Sequence, residues 1–507
     1  MARIRLRPDG IFTQLLPANI GVTMSSEDIE SGSDALLVAE DEAYSKGLKA
    51  RHIQMIAVGG AIGTGLFLGA GSRLNIAGPF LAVLYAIAGF FAFIVVRALG
   101  ELVIYRPTSG SFVSYAREFM GEKGAYVSGW MYFLVWATGG IADITAVAIY
   151  TQYWSIFEGV PQWIVALIAM LFVLAINLSA VKYFGETEYW AAMIKVAAIV
   201  IFLAIGTFTL AKRDISGREF SGVQMISENG GILPHGLIAA IIVLPGVVFA
   251  YAALEMVSIA AGETKHPRRI VPKATNAVIW RIGIFYVGSV TLLALLLPWS
   301  AYSAGESPFV TFLSSIGIPG AGGIMNFVVL AAALSSVNSG LYATGRILRS
   351  MSVAGSAPAF TGVMNKRQVP AGAILLTVSC YLLGIVLNYL VPAEAFNIIL
   401  NFSALGILAT WAFVILAHLG YLRSVKRGHT ERASFQIPWS PVSNYVTLVF
   451  LLCVYGLLWF DGTAGKATVL AVIPLGLLLW GGWYLVRGKV ARTAAEYAEN
   501  DSVTEGK

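Results

Sequence analysis

Three ionisable side chains stand in long apolar runs. Lys195 lies in EYWAAMIKVAAIVIF, Glu255 in LPGVVFAYAALEMVSIAAGE and Asp143 in TGGIADITAVAIY. Charge in hydrocarbon costs ~2.5 kcal/mol or more, so such residues point by default to a substrate or ion path. A lysine taken out of water can gain and lose a proton as its surroundings change. Each residue also has a plainer reading. Lys195 can snorkel to a membrane edge, Asp143 can pair with another helix, and Glu255 sits too deep for either to be the obvious choice. Arg97 and Glu101 in VRALGELVIY are four residues apart and predict an intrahelical ion pair.

A different chemistry is written in GGAIGTGLFLGAG, residues 59–71, with six glycines in thirteen positions. Glycine inside a helix costs about 1 kcal/mol relative to alanine. Unwinding between Gly60 and Gly65 gives a second half-helix whose first amides lack intrahelical partners. Those amides suit a carboxylate. Gly65 and Gly69 also fit a close-packing GxxxG, and packing accounts for Gly69 and Gly71. A second interruption is expected in residues 244–263, where Pro245–Gly246 precedes small residues and Glu255. Polar bands at Ser335, Ser336, Asn338 and Ser339, and at Asn401 and Ser403, serve either as interhelical glue or as cavity lining.

The elements that hold these residues are membrane spans. The chain is 57% apolar and 12% charged, with a net charge of +6. Runs of about 20 apolar residues, enough to cross the hydrocarbon core, predict twelve spans: 52–73, 78–104, 125–154, 161–179, 188–211, 235–262, 274–298, 321–345, 369–391, 394–420, 442–461 and 466–487. Sorting the flanking Lys and Arg into alternate sides gives 21 against 5, with Arg73 among the five. That bias places both termini in the cytoplasm. The breaks in spans one and six fit five helices followed by five related ones.

The first 50 residues predict a polar cytoplasmic tail, with Met24 a plausible alternative start, and residues 491–507 a second disordered tail. SFVSYAREFMGEK predicts a cytoplasmic interfacial helix, with a static loop as the alternative. Cys380 and Cys453 lie within spans, and two cysteines are too few for a disulfide framework or a cysteine zinc site. The five histidines have no metal-ligand spacing, and no GxxxxGK[ST] phosphate loop is present. No nucleophile–base set marks a membrane enzyme. A channel filter or charged ring is equally absent from the sequence. Secondary transport by alternating access is the expected function, with the channel as the alternative from a different class.

RHIQMIAVGGAIGTGLFLGAG, RALGELVIYRPTSGSFVSYAREFMGEKGAYVSGWMYF, GIADITAVAIY, NAVIWRIGIFYVGSVTLLALLLPWSAYSAGESPFVTF and ALSSVNSGLYATGRILRSM resemble the amino-acid permeases of the amino acid–polyamine–organocation superfamily, and within it the bacterial L-asparagine permeases. The resemblance spans about residues 46–490. It implies an all-α, twelve-helix fold in the bacterial plasma membrane. Residues 51–420 would form a 5+5 inverted-repeat (LeuT-like) core with helices 1 and 6 broken, and residues 421–490 helices 11 and 12. It further implies proton-driven symport of an amino acid with no cofactor, nucleic acid or obligate protein partner. Gly63, Thr64 and Gly65 match the carboxylate-binding motif, and Ala61, Phe249 and Ala252 the carbonyls that hold the ammonium. Phe249 matches the aromatic gate, Lys195 the coupling lysine and Glu255 the helix-six glutamate. Ala253 departs from the glycine of the helix-six pattern, which favours asparagine over D-serine, D-alanine or glycine. A carboxamide needs a donor and an acceptor, expected among Thr138, Asp143, Ser335, Asn338 and Asn401.

Overall fold

The structure, a computed structural model, describes residues 48–505 apart from 61, 109, 213–221, 262–265, 304–305 and 391. The expected N-terminal tail up to residue 47 and the Met24 start lie outside the described residues, as does Ala61. Every regular element among the described residues is helical. The first part of the chain forms α1 (Ala50–Gly59), α2 (Thr64–Phe67), α3 (Gly69–Ala77), α4 (Leu81–Tyr105), α5 (Ser111–Met120), α6 (Glu122–Thr151), α7 (Gln162–Asn177) and α8 (Val181–Lys212). The middle forms α9 (Val223–Glu228), α10 (Gly236–Ile242), α11 (Leu244–Phe249), α12 (Met256–Ala261), α13 (Pro267–Arg281), a π-helical turn (Ile282–Gly288) and α14 (Ser289–Leu296). The last part forms α15 (Pro308–Ser315), α16 (Ala321–Val353), α17 (Ala371–Leu390), α18 (Pro392–Lys426), α19 (Val442–Leu458) and α20 (Gly462–Glu505).

Among the described residues seven helical stretches are long and apolar enough to cross a bilayer, and four shorter apolar helices accompany them. The chain is therefore a multi-pass membrane protein. A break splits a span into pieces too short to count by themselves: Gly236–Phe249 is among the shorter helices, and α3 counts only because it runs on into α4. Gly69–Tyr105 is one helical stretch but turns on Gly78, whose φ of +60° admits glycine readily. A Cβ there would lie 2.5 Å from Pro234 Cδ.

The most extensive packing joins α6 to α16 and α18. Most of the apolar length of α6 and α16 is buried, whereas none of that of α20 is. Exposed apolar side chains such as Ile168, Leu383, Leu478 and Leu485 face outward, as a lipid solvent requires.

Four sequence expectations are corrected. Arg97 and Glu101 do not pair: Arg97 donates to Gln436 O at 3.0 Å and Asn276 Oδ1 at 2.5 Å, and covers the Phe435 ring. Glu101 instead accepts from Arg432 Nε at 3.0 Å and from the Ile437 amide at 2.7 Å, with His418 Nε2 3.1 Å away. SFVSYAREFM does form a helix, but residues 111–117 are buried against α6 and α18 rather than lying on the surface. The expected disordered tail after residue 490 is helical through Glu505, continuing α20. Arg73 is buried within α3 rather than in a loop.

Candidate functional site

Both expected interruptions are present. The helix started at Ala50 ends at Gly59, and Gly63 is extended (φ −133°, ψ −161°) before α2 begins at Thr64. The amides of Gly63, Thr64 and Gly65 donate no hydrogen bond to another described residue. Leu66 and Phe67 bond back to Gly63 O at 3.2 and 3.1 Å, so the half-helix starts abruptly there. The second break runs through residues 250–255 between α11 and α12. Ala253 has φ +69°, a left-handed conformation strained for any residue with a Cβ. Phe249 O accepts the Ala252 amide at 3.0 Å, and Ala252 O accepts from no described backbone amide outside the helices.

The two breaks cross. A Cβ on Gly65 would lie 2.6 Å from Ala250 Cα, so glycine is what lets the backbones touch. Beside the crossing, Arg73 of α3 donates from Nη1 back to Gly65 O of α2 at 2.9 Å, within the first broken helix. Its guanidinium also occupies the space beside Gly69 and Gly246, where an added Cβ would approach to 2.3 and 2.5 Å. Gly69 therefore accommodates an arginine of its own half-helix, whereas Gly71 packs on Glu306 O of a neighbouring segment.

A cavity lies at the crossing. Gly60, Gly63, Thr64 and Gly65 contribute one wall and Phe249, Ala250, Ala252 and Ala253 the facing one. Helix α6 supplies Val135, Trp136, Gly139 and Asp143, α16 supplies Ser336, and α18 supplies Ser403. Thr64 Oγ1 donates to Asp143 Oδ1 at 2.5 Å, and Ser336 faces the same carboxyl. A Cβ on Gly63 would meet nothing nearer than Ser336 Oγ at 3.8 Å, so that glycine borders open space. Tyr381 steadies α6 by donating to Trp136 O at 3.0 Å, its ring fitting between Gly140 and Gly340. The cavity volume is about 30 Å³, room for one or two waters. An amino acid enters only if the walls move apart.

The remaining candidates go elsewhere. Lys195 Nζ donates to Ser335 Oγ at 2.9 Å, and that hydroxyl donates to Glu188 Oε1 at 2.6 Å. Asn338 donates to Glu188 Oε2 at 3.3 Å and accepts from Asn177 at 2.8 Å. Ser335 and Asn338 thus belong to a network beside the cavity, while the adjacent Ser336 faces into it. Thr138 satisfies its hydroxyl on Leu134 O at 2.7 Å, and Asn401 donates to Asp461 at 3.1 Å. Neither lines the cavity. Glu255 is buried against the Tyr132 hydroxyl and the amides of its own segment, closing the start of α12.

Sequence reasoning missed Val135, Trp136, Gly139, Ala250 and Glu188. The first three share a helical face with Asp143 at spacings of three, four and seven to eight, which is the signal that finds them. Glu188 stands seven residues before Lys195, two turns along the same helix.

A family model described as amino acid permease matches residues 52–493. The chain belongs to the amino acid permease family. It is a transporter, not an enzyme. It is similar to the L-asparagine permease of Streptomyces coelicolor, 60% identical over 459 residues, covering 90% of this chain and 94% of the relative. The L-asparagine permease of Escherichia coli is 55% identical over 467 residues, covering 92% and 94%. L-asparagine permease 1 of Mycobacterium tuberculosis is 55% identical over 460 residues, covering 90% and 94%. The two crossed breaks thus leave the amides of Gly63, Thr64 and Gly65 beside a small cavity that Thr64, Asp143, Ser336 and Ser403 also line.

Proposed function

We propose that this permease imports L-asparagine together with a proton. The observation that carries the substrate is its 55–60% identity, across about nine-tenths of the chain, to permeases named for L-asparagine. The cavity chemistry is compatible. The substrate carboxylate takes the amides at Gly63, Thr64 and Gly65, and the carbonyls of Ala61, Phe249 and Ala252 take the ammonium. Of the candidates for the carboxamide, Asp143 has the best-supported position, as an acceptor for its NH₂ group. Ser336 beside it adds a hydroxyl donor for the carbonyl oxygen. Phe249 closes over the bound amino acid.

Protonated Lys195, held through Ser335 on α16, favours the substrate-competent outward-facing arrangement, and loss of its proton inside releases the first half-helix. Glu255 is a second coupling group in this reading, acting through the break it closes. The whole is a twelve-span protein of the bacterial plasma membrane with both termini cytoplasmic and a 5+5 inverted repeat. The shorter apolar helices and the two breaks support that count, and the charge bias supports the orientation. Protons alone are the coupling ion, without a cofactor.

Competition for labelled L-asparagine uptake by D-serine, glycine, glutamine and aspartate tests the substrate. Weak competition by D-serine and glycine is expected. Strong competition by both, with little by glutamine, would overturn the assignment in favour of a small neutral amino-acid permease.

A further inference from the structure

We propose that Glu188 is the station through which the coupled proton leaves Lys195, with the Ser335 hydroxyl as the relay between them. The inference rests on the reading that Lys195 carries that proton, and extends it to a second carboxylate and a direction of travel.

Glu188 and Lys195 share one face of α8, two turns or about 10.5 Å of helix axis apart at their backbones. Both are buried, at 0% and 1% exposure, which rules out a solvated surface pair. Lys195 Nζ is 3.8 Å from Glu188 Oε1, too far for a direct hydrogen bond. Ser335 bridges the gap with two bonds in series, 2.9 Å from Nζ to Oγ and 2.6 Å from Oγ to Oε1. These bonds run in one direction. As the N–H bond of Lys195 breaks and its proton joins Oγ, the original Oγ–H bond breaks and that proton joins Oε1. Lysine becomes a neutral amine, the carboxylate a neutral acid, and serine ends with the single proton it began with.

The surroundings favour this route. The pair has zero net charge before and after the transfer, so the internal step leaves no new unpaired buried charge. Asn338 fixes the other carboxylate oxygen and is itself fixed by Asn177 of α7. The charged groups that bear on Lys195 from other helices are Asp143 on α6 and Arg281 at the end of α13. Glu188 lies nearer the beginning of α8, where Glu186 is 38% exposed and pairs with Arg51 and His52 of α1. The relay therefore leads from Lys195 towards the more exposed beginning of the helix.

The test counts protons entering per labelled L-asparagine, with full-length protein in liposomes loaded with a pH-sensitive dye. Glu188→Gln is expected to lower that ratio at least tenfold, and Glu188→Asp to retain at least half of it. An unchanged ratio in Glu188→Gln overturns the proposal, even with lower yield or a lower melting temperature, because a merely structural carboxylate predicts that result. Should Glu188→Gln not be recovered folded, Ser335→Ala decides: the relay predicts the same tenfold fall, and an unchanged ratio overturns it. Lys195→Ala separates the two readings. A wild-type ratio in that variant sinks the coupling role of Lys195 itself, whereas its loss alongside an intact ratio in Glu188→Gln sinks only the relay.

Discussion

Gly63 and Gly65 are two residues apart yet need to be glycine for different reasons. A methyl on Gly63 enters the cavity, 3.8 Å from Ser336 Oγ, and displaces nothing. A methyl on Gly65 runs into the Ala250 backbone at 2.6 Å, where neither chain segment can yield cheaply. Gly63→Ala should therefore keep the wild-type melting temperature and abolish uptake. Gly65→Ala should lower stability by about 1–3 kcal/mol, the usual cost of overpacking. Thermal unfolding in detergent beside uptake in liposomes separates them, and equal destabilisation by both would contradict the geometry. Ala253 presents the opposite case, with a Cβ held at φ +69°. Ala253→Gly should stabilise by about 1 kcal/mol if strain relief outweighs the added freedom of the unfolded chain. A fall in melting temperature would mean that the methyl group makes contacts worth more than the strain.

At the scale of elements, Arg73 ties the start of the second half-helix to its own continuation and packs against the second break. One guanidinium reaches Gly65 O on α2 and fills the space left by Gly69 on α3 and Gly246 on α11. Arg73→Met keeps much of the volume but removes the charged hydrogen bond, worth about 1.5–3 kcal/mol. The expected result is a lower melting temperature and a higher KM for uptake, with an unchanged melting temperature counting against the clamp. The breaks were legible in sequence because their cause is local: clustered glycine and Pro245–Gly246 weaken a helix wherever it packs. The clamp was not, since Arg73 beside a span end looks like an ordinary flanking charge. Nor were the partners of Arg97 and Glu101, which come from Gln436, Asn276, Arg432 and Ile437, far along the chain. Local i, i+4 spacing gives an ion pair only where no better partner arrives from elsewhere. Asn401 failed as a cavity candidate for the same reason, Asp461 being closer than the site.

For the whole molecule, the small cavity and the buried charges make one demand together. An amino acid cannot fit into about 30 Å³ without separation of the walls, so each transport cycle must rearrange helices around groups already paired. Asparagine is a zwitterion near neutral pH, and moving it alone carries no net charge. Symport with one proton moves a single positive charge inward, worth about 2.3 kcal/mol per 100 mV. At equilibrium that supports about 50-fold accumulation for each 100 mV, since 1.36 kcal/mol is about one factor of ten. Liposomes given an inside-negative potassium diffusion potential of about 100 mV, with equal pH and no sodium, should therefore concentrate labelled L-asparagine up to that limit. A protonophore should abolish the gradient of substrate while leaving exchange of asparagine across the bilayer. Uptake that ignores the potential, or that appears only when sodium is added, would exclude the one-proton mechanism. It would also leave the burial of Lys195 to be explained by structure alone.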